Sequence, residues 1–270
     1  MSPAEQERTS ERDDTARAWA IALLRRSPLK QRKLAELEAL LGPTAGLRCL
    51  DLGSDNGVVS LLLRERGGSW ASGDLTEEAV DSIRSLVRED VHRVSGERLP
   101  FPPASFDRVA VVDMLEHVAD DAAFAAELAR VTKPGGLLVV NTPHLKKTAL
   151  RRLRHALGQT DEKHGHLRPG YSVERLRELL GPAFEVERHR TYSRFFSEAV
   201  DTALNWGMER LGKGSSAKGM VVTGDDLARH AKSFRAYAAI YPFVWALTRL
   251  DVLVPASGYM LVASARRRAD

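Results

Sequence analysis

Apolar positions along this chain fall into two alternating spacings. Leu47 to Leu52, Ser69 to Leu75, Val91 to Ser95, Phe106 to Val112 and Leu137 to Asn141 are short apolar runs, the length of single buried strands. Helical spacing separates them, in Val58 to Leu63, from Thr76 to about Arg88, and from Asp120 to Thr132. Thr76 followed by Glu77 and Glu78 is an N-cap with acids in the first turn. This alternation predicts an α/β, Rossmann-like, doubly wound parallel sheet with helices on both faces. Before it, Thr15 to Leu41 predicts one or two amphipathic helices broken at Pro28, with Trp19, Leu23, Leu24, Leu34, Leu37 and Leu41 buried; Ser2 to Asp14 is polar and expected to fray. After it come a basic amphipathic helix from Lys146 to Leu157, a helix over Val173–Leu180, a strand over Phe184–Tyr192 and a last, antiparallel strand over Tyr259–Ala265.

The expected organisation is a helical preface (1–45), a ligand-binding core (46–192), a helical insertion (193–257), and the last core strand with a basic tail (258–270). The insertion holds a Gly/Ser/Lys linker, Gly212 to Gly219, and an aromatic stripe of Phe234, Tyr237, Tyr241, Val244 and Trp245, with Pro242 expected to kink the helix. A lid packed on the sheet edge is the first reading of it, and an interfacial helix on a membrane the second.

The stretch CLDLGSDNGVVS, Cys49 to Ser60, has the order strand, glycine-bearing turn, helix. That order opens a nucleotide site in doubly wound sheets, since glycine permits close approach and the helix start offers unpaired N–H groups. A dinucleotide fingerprint needs G-x-G-x-x-G, but Asp55 and Val58 occupy its second and third glycine positions, and Asp51 and Asp55 would repel a pyrophosphate. An NAD-type oxidoreductase is therefore disfavoured. Asp74, about twenty residues beyond the turn at the end of the second strand, suits a pair of ribose hydroxyls.

This turn resembles motif I of the class I S-adenosylmethionine (SAM) methyltransferases. The series LPFPPASFDRVAVVDMLEHV…LARVTKPGGLLVVNTPH resembles the ubiquinone and menaquinone biosynthesis type of that family, the methyltransferase type 11 family, so that the resemblance covers Leu47 to His144. It implies a seven-stranded sheet of the class I type and SAM as cofactor, whose cationic groups suit the carboxylates. It also implies a cofactor-binding set of Asp51, Gly53, Ser54, Asn56, Gly57, Asp74, Leu75, Ser95, Gly96, Glu97, Asp113 and Met114. Many relatives carry an acid near Ser95 for the adenine amino group; here Ser95 or the backbone of Gly96 and Glu97 is expected to replace it.

Methyl transfer from a sulfonium needs positioning and exclusion of water, and needs a base only where the acceptor must lose a proton. His117 and His144 both follow strand C-termini and are the candidate bases, with a capping role for His117 as the alternative. Asp113, Glu116 and His117 fall on one helical face, comparable to a Glu-x-x-Glu-His cation site of some relatives, but no metal is expected. Arg151, Arg152, His164, His166, Arg168 and Tyr171 form the candidate acceptor set, in a basic segment suited to an anionic acceptor or surface.

With 270 residues, a net charge of +4 and a single cysteine, Cys49, the chain suits one substantial core and excludes a disulfide framework or a cysteine metal site. Its charged N-terminus is unlike a signal peptide, and no apolar run reaches the roughly 18 residues of a spanning helix. The expectation is a cytoplasmic enzyme, with membrane association left open. It would methylate a small-molecule or lipid-like acceptor, oxygen before carbon. An RNA-directed methyltransferase or a silent SAM-binding partner protein is the alternative, and nucleic acid is disfavoured for want of an RNA-binding module.

Overall fold

The computed structural model describes residues 3–146, 148–161, 163, 165–210 and 224–269. In chain order the preface gives α1 (Pro3–Leu24) and α2 (Pro28–Leu41); the core gives β1 (Arg48–Leu52), α3 (Val58–Arg64), β2 (Ser69–Asp74), α4 (Glu77–Val87), β3 (Val91–Arg93), β4 (Phe106–Val112), α5 (Asp121–Val131) and β5 (Thr132–Pro143). Then follow α6 (Ala149–Ala156), α7 (Val173–Leu180), β6 (Phe184–Tyr192), α8 (Phe195–Arg210), α9 (Gly224–Arg249) and β7 (Met260–Arg267), with 3-10 turns at Leu115–His117 and Leu250–Leu253.

Sequence chemistry accounts for the helix starts. Ser27, Thr76, Asp120 and Ser172 each accept a backbone N–H three residues on, and Pro28 stands at a first helical position, where a missing N–H costs nothing. α1 begins at Pro3 and not at Thr15: its first turns are rich in Ala, Glu, Gln and Arg, strong helix formers that need no apolar stripe. The predicted linker Gly212–Gly219 lies outside the described residues.

The strands form one seven-stranded sheet in the order β3-β2-β1-β4-β5-β7-β6. β3 through β5 are parallel, and β7 runs antiparallel between β5 and β6. Strand pleat divides the core into two clusters. Leu50, Val109, Val111, Leu138 and Val140 face Phe124, Leu128, Leu176 and Leu180. Cys49, Ala110, Val112 and Val139 face Trp19, Leu37, Leu40 and Leu63. Burial of each large side chain contributes about 1.5–3 kcal/mol.

Lys133 to Gly136, which precedes the apolar run Leu137–Asn141, lies inside β5. Phe106 pairs with Thr132 but Arg108 with Leu137, so the segment is a bulge opposite a two-residue step of β4. α8 and α9 do not cap the sheet edge alone. Trp19 meets Phe234 edge-on at 4.4 Å, Tyr237 Oη donates to the Arg26 carbonyl at 2.8 Å, and Gln31 Nε2 donates to Tyr241 Oη at 2.6 Å. The insertion therefore packs on the preface, and Trp245, expected in the buried stripe, is 42% exposed. α9 continues through Pro242.

Strand order reverses between β1 and β4, because the chain winds outward to β3 and then crosses back. Their carboxyl ends splay helices to opposite faces there and open a crevice.

Candidate functional site

The crevice is shaped first by backbone. Gly53 has φ +84°, and a Cβ there would lie 2.2 Å from the Val112 carbonyl oxygen; at Gly57, φ +77°, it would lie 2.7 Å from Ile83 Cα. Both positions exclude any side chain. Between them Asp55 takes φ +53°, a left-handed conformation that aspartate tolerates better than most residues. This is how the chain keeps the turn without a glycine at that point.

Asp51 holds the turn from beneath and does not line the cavity. Fully buried, it accepts hydrogen bonds from Ser54 Oγ (2.8 Å), Ser60 Oγ (2.6 Å) and Ser72 Oγ (2.7 Å), with Arg64 at 3.4 Å. Three hydroxyls and a guanidinium fill its lone pairs, which corrects the expectation that it contacts a ligand.

Above the turn lies a cavity of about 480 Å³. Of the candidate cofactor-binding residues, Gly53, Ser54, Asn56, Asp74, Leu75, Asp113 and Met114 line it, together with Asp55, Thr76 and Glu78. Asp74 Oδ1 accepts from Leu75 N at 2.7 Å and Oδ2 from Asp55 N at 3.2 Å. Burial raises its pKa to about 6 against the pull of these N–H groups. Gly57 shapes the wall without lining it. Ser95, Gly96 and Glu97 lie off the lining: Ser95 Oγ accepts from Arg98 N at 3.1 Å, closing the loop on itself, and the wall on that side comes from Leu75 to Ala79.

The individual side chains of the opposite wall were not legible in the sequence. α2 lays Lys30 and Lys33, one turn apart, over the cavity. Lys33 Nζ pairs with Asp113 Oδ2, Asn141 Nδ2 donates to Asp113 Oδ1 at 2.6 Å, and Tyr192 Oη donates to Asn141 Oδ1 at 2.6 Å. Burial opposes the charge on Lys33, but the Asp113 carboxylate prevails and its pKa is raised. Lys30 lacks so close a carboxylate; burial, with Lys33 alongside, lowers its pKa despite Asp55 and Asp113 nearby. An advance signal for them was two lysines three residues apart in an otherwise amphipathic helix.

His117 closes the cavity. Its Nδ1 donates to the Gly165 carbonyl at 2.8 Å, and the ring lines the cavity. The His166 ring stands edge-on at 4.8 Å, and ligand atoms of Glu116, His117 and His166 all lie within 4.8 Å of one another. These three could hold a divalent cation, a grouping that needs His166 and does not include Asp113. His144 is not brought to the cavity. Its Nδ1 donates to the Gly258 carbonyl at 2.9 Å, because β5 continues along β7 and turns the residue away from the crevice.

The expected acceptor set does not assemble. Arg168 donates to the carbonyls of Leu115, Val118 and Ala119 (3.1, 2.5 and 2.9 Å) and pins the loop that carries His117. Tyr171 is 1% exposed, its hydroxyl donating to Asp121 at 2.9 Å. Arg151 pairs with Asp161 at 2.5 Å, and Lys146 with Glu198 at 3.2 Å. Arg152 is on the exposed face of α6. Three cations of the basic run, Lys146, Arg151 and Arg168, are thus engaged by internal carboxylates and carbonyls. His164 lies outside the described residues, and of this set only His166 lies next to the site.

Comparison with known proteins points the same way. Residues 50–140 match the family model described as a methyltransferase domain. The chain is 36% identical over 107 residues to the ubiquinone biosynthesis O-methyltransferase of Xylella fastidiosa (strain 9a5c), covering 37% of this chain and 43% of that protein. It is 38% identical over 104 residues to the demethylmenaquinone methyltransferase of Mycobacterium sp. (strain KMS), covering 38% and 44%. The match spans less than half the length of these relatives. Among solved structures, an S-adenosylmethionine-dependent methyltransferase from Mesorhizobium loti superposes with a TM-score of 0.54 at 18% identity, over 86% of this chain and 96% of that one. The [4+2]-cyclase SpnF superposes with a TM-score of 0.59 at 17% identity, over 89% and 82%. At such identities the likeness concerns the fold, and a cyclase shares it.

Proposed function

We propose, from the match of residues 50–140 to a methyltransferase-domain model, that this chain is a class I methyltransferase that transfers a methyl group from SAM to a small-molecule acceptor, oxygen favoured over carbon. The observation that carries this is the 480 Å³ cavity at the strand-order reversal, with two side-chain-free positions in its turn and carboxylates on its walls. Asp74 would accept the ribose hydroxyls, the Gly53–Gly57 turn would admit the amino-acid portion, and Asp55 and Glu78 make the cavity receptive to a cation. SAM supplies an electrophilic methyl group on a good leaving group.

For an oxygen acceptor, the new oxygen–carbon bond would replace the sulfur–carbon bond of the donor, and His117, on the cavity lining, would take the acceptor proton. Lys30, also on the cavity lining, would donate a hydrogen bond to that oxygen. A pre-ionised or carbon acceptor is the second reading, favoured by Lys30, which would hold an anion without need of a base. The names of the relatives, one acting on demethylmenaquinone, support a quinone-like, lipid-like acceptor.

Calorimetry tests the premise. The chain is expected to bind SAM and not NAD, and the reverse selectivity would sink the reading. Turnover of a quinol-type acceptor separates the two routes: His117→Gln lowers kcat at least tenfold for a protonated oxygen and leaves SAM affinity intact.

A further inference from the structure

From Ala236 to Ser257 the only charged residues are Arg249 and Asp251. Such a stretch is expected inside a protein. One face of it is: Tyr237, Tyr241 and Val244 lie toward α1 and α2, through the bonds to Arg26 and Gln31. The rest is on the surface. Ile240, Phe243, Trp245 and Leu250 are all at least 40% exposed, and at the 3-10 turn beyond them Val252 and Leu253 reach 79% and 73%. Apolar side chains clustered at the end of a helix and over a protruding turn mark a contact surface.

Charge narrows down what it contacts. Asp251, the stretch's only carboxylate, accepts the backbone N–H groups of Arg194 (2.6 Å), Phe196 (2.8 Å) and Ser197 (3.3 Å), so it offers little free negative potential. The flanking charges are cationic. The Arg249 guanidinium lies 4.6 Å over the Trp245 ring, and Arg235 is exposed nearer the start of α9. Beside the tip opens a second cavity of about 720 Å³, between α2, the end of β6 and α9, walled by Arg249, by Arg32, which pairs with Glu36 at 2.6 Å but stays exposed, and by Arg194, which donates to the Asp251 and Val254 carbonyls. Apolar tip, Trp–Arg pair and basic rim, in that order, match the depth profile of a lipid interface. A two-fold contact with a second copy would tend to bring the arginine rims toward each other, which disfavours that occupant. Among the described residues no helix is long and apolar enough to cross a membrane, so the element would lie on the surface of the bilayer.

We infer that the α9 face and its 3-10 turn dock this protein onto an anionic lipid surface, with Phe243, Leu250, Val252 and Leu253 entering the acyl boundary and Arg249 and Arg235 at headgroup level. α2 links this face to the cofactor cavity, since it sends Lys30 and Lys33 into one cavity and Arg32 into the other. Docking therefore sets the cofactor cavity beside the lipid. None of the docking residues lines that cavity, so the inference holds or fails independently of methyl transfer.

Vesicle sedimentation tests it, using phosphatidylcholine alone or mixed with phosphatidylglycerol. The full chain is expected to partition at least tenfold more strongly onto the anionic vesicles, with binding that weakens as salt is raised. Val252→Asp/Leu253→Asp, and separately Phe243→Glu, should each lower that partition about tenfold, while the thermal melt by circular dichroism stays that of the wild type. Wild-type protein left in the supernatant with anionic vesicles overturns the inference, as do folded variants that sediment unchanged. A concentration-dependent dimer in the ultracentrifuge that these variants abolish, without vesicle binding, would assign the face to a second copy instead.

Discussion

At the scale of single residues the site depends on Asp74 and on the two glycines. Burial places the Asp74 pKa near 6, above its ordinary value of 3.8, so the fold favours the protonated acid. Its ionisation therefore costs stability as pH rises from the unfolded pKa through the folded one, by up to about 3 kcal/mol. Asp74→Asn is expected to stabilise the ligand-free protein at pH 7 by a fraction of that, with the gain lost below about pH 4, as urea denaturation at two pH values would show. In its proposed role the charged form accepts two ribose hydroxyls, so SAM affinity should fall as pH drops through about 6, and Asp74→Ala should cost about 1.5–3 kcal/mol of binding by calorimetry. Gly53→Ala is a different matter. It forces a Cβ against the Val112 carbonyl in a left-handed conformation, and a loss of folding stability of roughly 2 kcal/mol or more is expected.

At the scale of elements, α2 is held over the cavity by the Lys33–Asp113 pair, which Asn141 and Tyr192 extend into the core. Lys33→Met leaves Asp113 without its cation and should destabilise by about 3 kcal/mol, since breaking a largely buried pair strands a charge. The double variant Lys33→Met/Asp113→Asn should recover most of that loss, and a double-mutant cycle by urea denaturation checks it. Were α2 only a structural helix, SAM affinity would not follow these changes. The cavity wall it forms predicts that it does. The 3-10 turn at Leu115–His117 is held in a comparable way by Arg168, whose guanidinium occupies carbonyls on both sides of His117. Arg168→Lys loses the fork geometry and is expected to lower turnover with little change in SAM affinity.

At the scale of the whole molecule, preface and insertion form one outer layer on the side of the sheet that carries α1 and α2, joined by Trp19–Phe234. Trp19→Ala should loosen α9 before it disturbs the sheet. Hydrogen exchange read by mass spectrometry is expected to accelerate in α9 and α1 while β4 and β5 remain protected.

Local chemistry was enough to read most of the fold. β4, α7 and β6 occupy the spans expected from their apolar periodicity, and Thr76, Asp120 and Ser172 cap where capping residues stood in the chain. The turn from Gly53 to Gly57 and the acid at Asp74 were legible for the same reason: neighbours within about twenty residues set their geometry. Residues whose meaning depends on a distant partner were not. Asp51 and Arg168 carry charges that a linear reading assigns to ligands, and the fold turns both toward hydroxyls and carbonyls. His144 follows the carboxyl end of a parallel strand as His117 does, yet β7 pairs alongside and holds it away from the crevice. Lys30 and Lys33 join the site only because α2 packs across it, and Trp245 lies outside because its helix meets the preface on another face. Periodicity and caps are encoded within a few turns of chain. Which charge finds which partner is fixed by contacts between elements far apart in sequence, and those exist only once the layers have packed.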